Sequence, residues 1–185
     1  MKIGLLGGSF DPLHLGHIHI AKIAMKKLGL HQVWLIPTAQ NPLKKNASSS
    51  YVSRLESCQK LAKNHAKIKV KDFEKNSIFT YDLVKKITTS FPNHEFTWIM
   101  GADNLNRFYQ WKNYKLLIKS ISFAIISRED FIFKARNSKA FEIYEKFKIY
   151  GTNGKKLPKF SLIRAKNYDI SSSEIRAKLE STKKV

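Results

Sequence analysis

The chain has 185 residues, of which 43% are hydrophobic and 12% aromatic, and its formal net charge is +20. This length and composition indicate a single domain spanning residues 1–185 and exclude a disordered chain. The sequence has neither a secretory signal nor an apolar run near the ~20 residues of a transmembrane helix, so we expect no membrane partner. Its one cysteine, Cys58, cannot form an internal disulfide, which favours a cytoplasmic location.

The positive charge suits an anionic partner, and a basic nucleic-acid-binding protein is one hypothesis. However, only six of the 34 basic residues are arginine, and the lysines are spread along the whole chain. Arginine is the residue that reads phosphates and bases through paired hydrogen bonds. We therefore favour a solvated lysine-rich surface and expect no specific nucleic acid partner.

Strands and helices alternate in the sequence. The apolar runs predict strands at residues 2–6, 32–37, 68–73, 96–100, 122–127 and 160–163. The helical spacings predict helices at residues 16–28, 51–62, 79–89, 114–120, 140–148 and 172–180, with a loop at 151–158. This alternation predicts an α/β fold with a doubly wound, mainly parallel sheet and a C-terminal helical segment. The sequence indicates neither the oligomeric state nor the role of residues 129–156.

The stretch after the first predicted strand reads Gly-Gly-Ser-Phe-Asp-Pro-Leu-His-Leu-Gly-His. Gly7 and Gly8 allow a tight turn and the close approach of a ligand to the backbone. The next helix begins near Gly16, and its free N–H groups and positive dipole end attract an anion. His14 and His17 are three residues apart and share one face of that helix start, which suits a phosphate.

Other interpretations of this stretch are weaker. It lacks both the G-x-G-x-x-G pattern of dinucleotide sites and the Gly-Lys-Ser/Thr of a P-loop. Asp11, His14 and His17 could hold a metal, but zinc sites generally show more ligands at tighter spacing. A purely structural role, in which the histidines only cap the helix, stays open.

A second polar cluster, at residues 170–176, opens the last predicted helix. Ser171 and Glu174 have capping-box spacing, so a capped helix alone explains them. Three serines and Arg176 at a helix start also form a second phosphate cradle. Both interpretations stay open on the residues alone, and the first cradle favours phosphate.

Two further residues follow the strand at 96–100. Asp103 can accept hydrogen bonds from ribose hydroxyls, or it can cap a helix. Trp111 is either a core residue or a flat surface for a ligand ring.

The stretch from Gly7 to His17 resembles the signature of the nucleotidyltransferase superfamily with the (H/T)-x-G-H motif. From Met1 to about Lys178 the chain resembles the nicotinate-nucleotide adenylyltransferase family. The resemblance implies a Rossmann-like nucleotidyltransferase fold and transfer of AMP from ATP to nicotinate mononucleotide in NAD biosynthesis. It also implies Mg²⁺ carried on the ATP phosphates, with no metal-binding side chain.

The resemblance also assigns site residues by number. The residues with catalytic roles are His14, His17, Lys44 and Arg176. The ATP contacts are Gly7, Gly8, Ser9, Phe10, His17, Asp103, Ile170, Ser172, Ser173 and Arg176. The contacts to nicotinate mononucleotide are Ser9, Lys44, Thr80 and Trp111, with the tryptophan under the pyridine ring. Arg54 is a weaker candidate for a phosphate contact.

The chain departs from the family pattern at two positions, since Leu43 stands where the family has His and Phe79 where it more often has Tyr. The alternative substrates are nicotinamide mononucleotide and phosphopantetheine, and related cytidylyltransferases share the first cradle. The pantetheine enzymes usually carry Thr in place of His14.

Overall fold

The computed structural model of the chain describes residues 1–38, 49–73, 79–128 and 160–165, together with Ser172 and Ile175. The strands are β1 (Lys2–Gly8), β2 (Gln32–Pro37), β3 (Ile68–Val70), β4 (Glu95–Gly101), β5 (Ser122–Arg128) and β6 (Phe160–Ala165). The helices are α1 (Leu15–Leu28), α2 (Tyr51–Ala62), α3 (Thr80–Ser90) and α4 (Tyr114–Ser120), with a 3₁₀ helix at Ala102–Gln110.

The six strands form one parallel sheet in the order β3-β2-β1-β4-β5-β6. This confirms the predicted α/β class and the Rossmann-like arrangement. The chain leaves β1 in one direction for β2 and β3, and returns on the other side of β1 for β4 and β5. The order thus reverses between β1 and β4, where parallel sheets of this kind bind ligands beyond the strand ends.

Helices cover both faces of the sheet, and successive side chains of the central strand β1 point alternately to one face and the other. Ile3 and Leu5 belong to an apolar cluster with residues of α3, α4 and the 3₁₀ helix. Leu6 belongs to a second cluster with residues of α1 and α2. The near-continuous apolar run of β1 is therefore that of a parallel strand covered by helices on both sides.

Among the described residues, the predicted strands and helices match the structure closely, and most of their ends agree to within one residue. β1 and β6 each continue two residues beyond their predicted ends, to Gly8 and Ala165. β3 instead stops at Val70, three residues before its predicted end, because its register with β2 ends at the pair Leu35–Val70.

The 3₁₀ helix at Ala102–Gln110 was not predicted, since its buried residues, Ala102, Leu105 and Phe108, make too short an apolar pattern.

Several predictions for the C-terminal part lie outside the described residues. They concern the helix at 140–148, the loop at 151–158, residues 129–156 and most of the last helix. Ser172 and Ile175 are helical, as predicted. The assignment of all 185 residues to a single domain stays a prediction. Across the described ranges, no helix combines the length and apolar character needed to cross a membrane.

A close contact between Gly7 and Trp98 links the two central strands. A Cβ atom on Gly7 would lie 2.5 Å from Cη2 of Trp98 and 2.8 Å from its Cζ2, too close for any side chain. Trp98, on β4, is only 3% exposed. The sequence suggested that Gly7 admits a ligand in a turn, but the structure places Gly7 within β1, where its missing side chain makes room for the indole.

We expect Gly7→Ala to lower the free energy of unfolding by about 1–3 kcal/mol, the usual cost of an overpacked core. Trp98→Phe should relieve this cost in the double variant. The indole N–H of Trp98 makes no hydrogen bond with the rest of the described structure, so the change to Phe removes volume without removing a hydrogen bond. Urea unfolding of the two single variants and the double variant measures the coupling. Strictly additive losses would contradict the contact.

Candidate active site

The loop that follows β1 is shaped by Phe10. This residue has a φ of 47°, in the left-handed region, and its ring is buried. The ring meets that of His17 edge-on, with centroids 5.1 Å apart. A Cβ on Gly8 would lie 3.0 Å from the Phe10 ring, so the second glycine leaves room for the phenyl group. The tight turn that the sequence suggested at Gly7 and Gly8 lies instead at Phe10, since both glycines belong to β1.

His14 and His17 form a reciprocal cap at the start of α1. His14 is the N-cap residue, and its Nδ1 accepts a hydrogen bond of 3.1 Å from the N–H of Gly16. His17 is the third helical residue, and its Nδ1 accepts a bond of 3.3 Å from the N–H of His14. Both histidines thus cap the helix, and each does so through only one of its two ring nitrogens in these bonds. Their rings stay side by side, with centroids 4.0 Å apart.

The cap also selects the ring tautomer. An Nδ1 atom that accepts a hydrogen bond carries no proton, so in the neutral ring the proton is on Nε2. Each ring can therefore present Nε2–H as a donor. The first turn of α1 holds no acidic residue, and its free N–H groups and dipole favour an anion. This helix start combines two imidazole donors with a positive backbone end.

Ser172 brings the C-terminal cluster to the same loop. Its hydroxyl donates a hydrogen bond of 3.1 Å to the carbonyl oxygen of Pro12, 160 residues earlier in the chain. Pro12 lies two residues before His14. Ser172, a member of the second polar cluster that the sequence indicated, therefore lies against the loop that contains the first cluster.

Arg54 lies in the interior, beside this loop. The side chain, on α2, is 2% exposed, and its Nη1 donates to the carbonyl oxygens of Ser9 and Thr38. These bonds to main-chain oxygens differ from the phosphate contact that the sequence suggested for Arg54. Charge alone could not reveal this, because a buried arginine and a surface arginine look the same in sequence.

Asp103 lies in the first turn of the 3₁₀ helix, just beyond the end of β4. Its side chain is exposed, and its Oδ1 lies over the Cα of Gly101, where a Cβ would collide with it. Gly101 holds the cap position of this helix, so the alternative role of Asp103 as a helix cap is not found. Because β4 pairs with β1, Asp103 lies at the same edge of the sheet as the histidine loop.

Trp111 ends the 3₁₀ helix and is partly buried. Its ring packs at 5.2 Å from that of Phe108 and meets Trp98 edge-on at 6.3 Å. The core role and the ligand role considered for Trp111 are therefore compatible, since one part of the ring is packed and another is exposed.

Thr80 is the first residue of α3. The cap residue before it, Phe79, makes no side-chain cap bond, so helix geometry leaves the first N–H groups without intrahelical acceptors. Lys112 connects this helix start to the Trp111 segment. Its Nζ lies 4.3 Å from the centroid of Phe79 and 3.7 Å from Oδ2 of Asp82. Thr80 and Trp111 thus belong to neighbouring segments.

Four predicted site residues lie outside the described residues, namely Lys44, Ile170, Ser173 and Arg176. Within the described ranges, no group of three or more His, Cys, Asp and Glu side chains is arranged to hold a metal ion. What the described part of the site offers to an anion is the imidazole pair, the Ser172 hydroxyl and the start of α1.

Comparisons with known proteins give a single family. Residues 5–178 match the family described as cytidylyltransferase-like. A probable nicotinate-nucleotide adenylyltransferase of Ruegeria sp. (strain TM1040) is 36% identical over 151 residues, which cover 80% of this chain and 79% of the relative. The protein of the same name from Ruegeria pomeroyi is 33% identical over 182 residues, covering 95% and 85%. A Plasmodium falciparum nicotinic acid mononucleotide adenylyltransferase, solved with NaAD, superposes with a TM-score of 0.73 at 26% identity, covering 95% and 82%.

The cap at α1 predicts how substitutions of His14 affect stability. His14→Ala should lower the free energy of unfolding by about 0.5–2 kcal/mol, because the N–H of Gly16 loses its acceptor. His14→Asn should stay within a few tenths of a kcal/mol of the wild type, since asparagine is among the best N-cap residues. Chemical denaturation of the three proteins checks this. If the asparagine variant were as unstable as the alanine variant, the lost stability would not come from the capping hydrogen bond of His14.

Proposed function

Because this chain belongs to the cytidylyltransferase-like family, and within it to the nicotinate-nucleotide adenylyltransferases, we propose that His14 and His17 stabilise its reacting phosphate. The enzyme transfers AMP from ATP to nicotinate mononucleotide and forms nicotinate adenine dinucleotide and pyrophosphate in NAD biosynthesis. The observation that carries the proposal is the imidazole pair at the start of α1, with both Nδ1 atoms occupied by backbone N–H groups.

The nucleophile is a phosphate oxygen of the mononucleotide. It forms a bond to the α-phosphorus of ATP, and the bond from this phosphorus to the bridging oxygen breaks, with its electron pair leaving on pyrophosphate. The second pKa of a phosphate monoester is about 6, so the attacking oxygen is already ionised at neutral pH. A general base is therefore unnecessary, and catalysis depends on positioning and charge stabilisation.

His14 and His17 would supply the charge stabilisation. With Nδ1 occupied, each neutral ring donates through Nε2–H, and donors of this kind are most effective where negative charge grows on phosphate oxygens. The capping bonds hold the rings before the reaction starts, so no reorganisation is needed during it. The remaining ATP contacts at this loop would be Gly7, Gly8, Ser9 and Phe10.

The C-terminal cluster would bind the leaving phosphates. The proximity of Ser172 to Pro12 supports this role, because it brings the last helix to the loop that holds the histidines. Ile170, Ser173 and Arg176 would complete this cluster, and Lys44 would approach from the segment after β2. Asp103, exposed at the end of β4, would accept hydrogen bonds from the ribose of ATP.

The mononucleotide would lie between the starts of α3 and α4. The N–H of Thr80 would bind the nicotinate carboxylate, and Ser9 and Lys44 would contact the phosphate. The exposed part of the Trp111 ring would stack on the pyridinium, where a cation–π attraction adds to the stacking.

We further propose that Mg²⁺ reaches the site on the ATP phosphates, whose hard oxygens it prefers as ligands. It would neutralise negative charge on the triphosphate and on the departing pyrophosphate. The described side chains suit this arrangement, since they offer donors to phosphate instead of a cage of carboxylates. We place the enzyme in the cytoplasm, with nucleotides as its partners.

The test of the function is pyrophosphate release from Mg-ATP with three acceptors in parallel: nicotinate mononucleotide, nicotinamide mononucleotide and phosphopantetheine. We expect strong turnover with the nicotinate compound and a dinucleotide product by mass spectrometry. Turnover with phosphopantetheine alone would keep the histidine chemistry but refute the roles of Trp111 and Thr80. Absence of turnover with all three would refute the proposed function.

We expect His17→Ala and His17→Gln to lower kcat by about a hundredfold or more, the usual loss when one oxyanion donor is removed. A glutamine side chain at this position can still accept the hydrogen bond from the N–H of His14, the N-cap residue. The glutamine variant therefore separates the effect of losing the imidazole from the effect of losing the capping bond. Steady-state kinetics at saturating ATP and mononucleotide measure kcat. A folded glutamine variant with nearly normal kcat would remove His17 from the mechanism.

Trp111→Ala should raise KM for nicotinate mononucleotide about tenfold or more, because stacking on an aromatic ring is worth about 1–3 kcal/mol per base. KM for ATP should change little, and Trp111→Phe should restore most of the affinity. Tyr109→Ala, an exposed aromatic on the same 3₁₀ helix, is the matched control. Equal increases in both KM values would indicate that Trp111 acts only in packing.

A further inference from the structure

Arg54 is an unusual cation in this chain because its guanidinium is buried. It is 2% exposed and projects from the face of α2 that also buries Cys58 and Ala62. A charged group in such a place is costly unless hydrogen bonds satisfy it. The hydrogen-bond partners of Arg54 therefore indicate which segments its side chain holds in place.

The guanidinium bonds to main-chain oxygens of three separate segments. Nη1 donates to the carbonyl oxygens of Ser9, in the loop after β1, and of Thr38, directly after β2, at 2.7 Å for the latter. Nε donates to the carbonyl oxygen of Ser49 at 3.3 Å. Ser49 directly precedes Ser50, the N-cap of α2. One planar group thus joins two strand ends to the helix that carries it.

These bonds begin where the parallel ladder stops. The last register pair between β1 and β2 is Gly8–Pro37, and the N–H of Thr38 still bonds to the carbonyl oxygen of Gly8 at 2.9 Å. Ser9 and Thr38 are the first residues after the two strands, and their carbonyl oxygens accept hydrogen bonds from Arg54. A fixed fork of N–H donors is the side chain best suited to hold two such oxygens at once.

The buried thiol beside Arg54 does not supply a countercharge. Burial raises the pKa of the Cys58 thiol to about 12, against the opposing effect of the arginine. At neutral pH the thiol is therefore uncharged. The carbonyl dipoles of Ser9, Thr38 and Ser49 contribute to keeping the charge of Arg54 in the interior.

The Ser9 carbonyl lies one residue before Phe10, whose left-handed backbone turns the loop and whose ring contacts His17. We propose that Arg54 is a positioning residue that fixes this loop, and through Phe10 the ring of His17, without touching the substrate. The inference rests on the proposed function for the role of His17. It goes beyond that function because it makes Arg54, on α2, the residue that determines the position of the His17 ring.

The test compares Arg54→Lys and Arg54→Met with Lys60→Met, which removes an exposed cation from the same helix. Lysine keeps the charge but cannot reproduce the fork, so Arg54→Lys is the informative variant if Arg54→Met fails to fold. We expect Arg54→Lys to lower kcat about ten- to a hundredfold, the range that a displacement near 1 Å can cause. KM for both substrates should change by less than about threefold, whereas loss of a direct phosphate contact would raise KM. Lys60→Met should match the wild type.

A double variant separates positioning from general loss of stability. If Arg54 acts through His17, Arg54→Lys combined with His17→Gln should lose little more activity than His17→Gln alone. Fully multiplied losses would overturn the inference, as would normal kcat in a folded Arg54→Lys protein.

A readout independent of turnover keeps the inference separate from the proposed function. The imidazole nitrogen signals of His17, followed by NMR in the absence of nucleotide, should shift in Arg54→Lys and stay unchanged in Lys60→Met. Unchanged His17 signals in folded Arg54→Lys would refute positioning even if the wild type were inactive on every acceptor. Conversely, an inactive wild type with shifted signals would refute only the function.

Discussion

The parallel pairing of β1 on both of its edges is the constraint on which the rest of the structure depends. It joins β2 on one side and β4 on the other, so the segments that leave these strands emerge at one edge of the sheet. Backbone groups beyond the ladder need new partners there. The cap of α1 and the guanidinium of Arg54 satisfy several of them, and the proposed nucleotide site lies at the same strand ends.

The strands and helices were predictable because their apolar periodicity is long and is interrupted by Gly, Pro and polar runs. The 3₁₀ helix was not, since its buried residues Ala102, Leu105 and Phe108 make too short an apolar pattern. For the site, the (H/T)-x-G-H stretch made His14 and His17 recognisable. The packing of Gly7 against Trp98 was not predictable, because the two residues are distant in sequence and adjacent only through the pairing of β1 with β4.

A cap and a catalytic group are commonly weighed as alternatives for a histidine at a helix start, but one histidine can serve as both. Imidazole has two nitrogens, and at His14 and His17 a backbone N–H group bonds to Nδ1. A hydrogen bond at that atom holds the ring in one orientation and, in the neutral ring, in the tautomer with the proton on Nε2. Serine would cap the helix as well, but it offers a single oxygen for both the cap and a ligand.

The hydrogen bond from Ser172 to Pro12 has a consequence for biosynthesis on the ribosome. Its two residues are 160 positions apart, and at a synthesis rate of roughly 5–20 residues per second the second emerges roughly 10–30 s after the first. Similarly, the second edge of β1 cannot pair until β4 has been synthesised. A nascent chain can therefore form the β1–β2 half of the sheet early, whereas this long-range contact must wait until residue 172 has been made. The loop that holds the histidines receives this partner only after all six strands of the sheet have been synthesised.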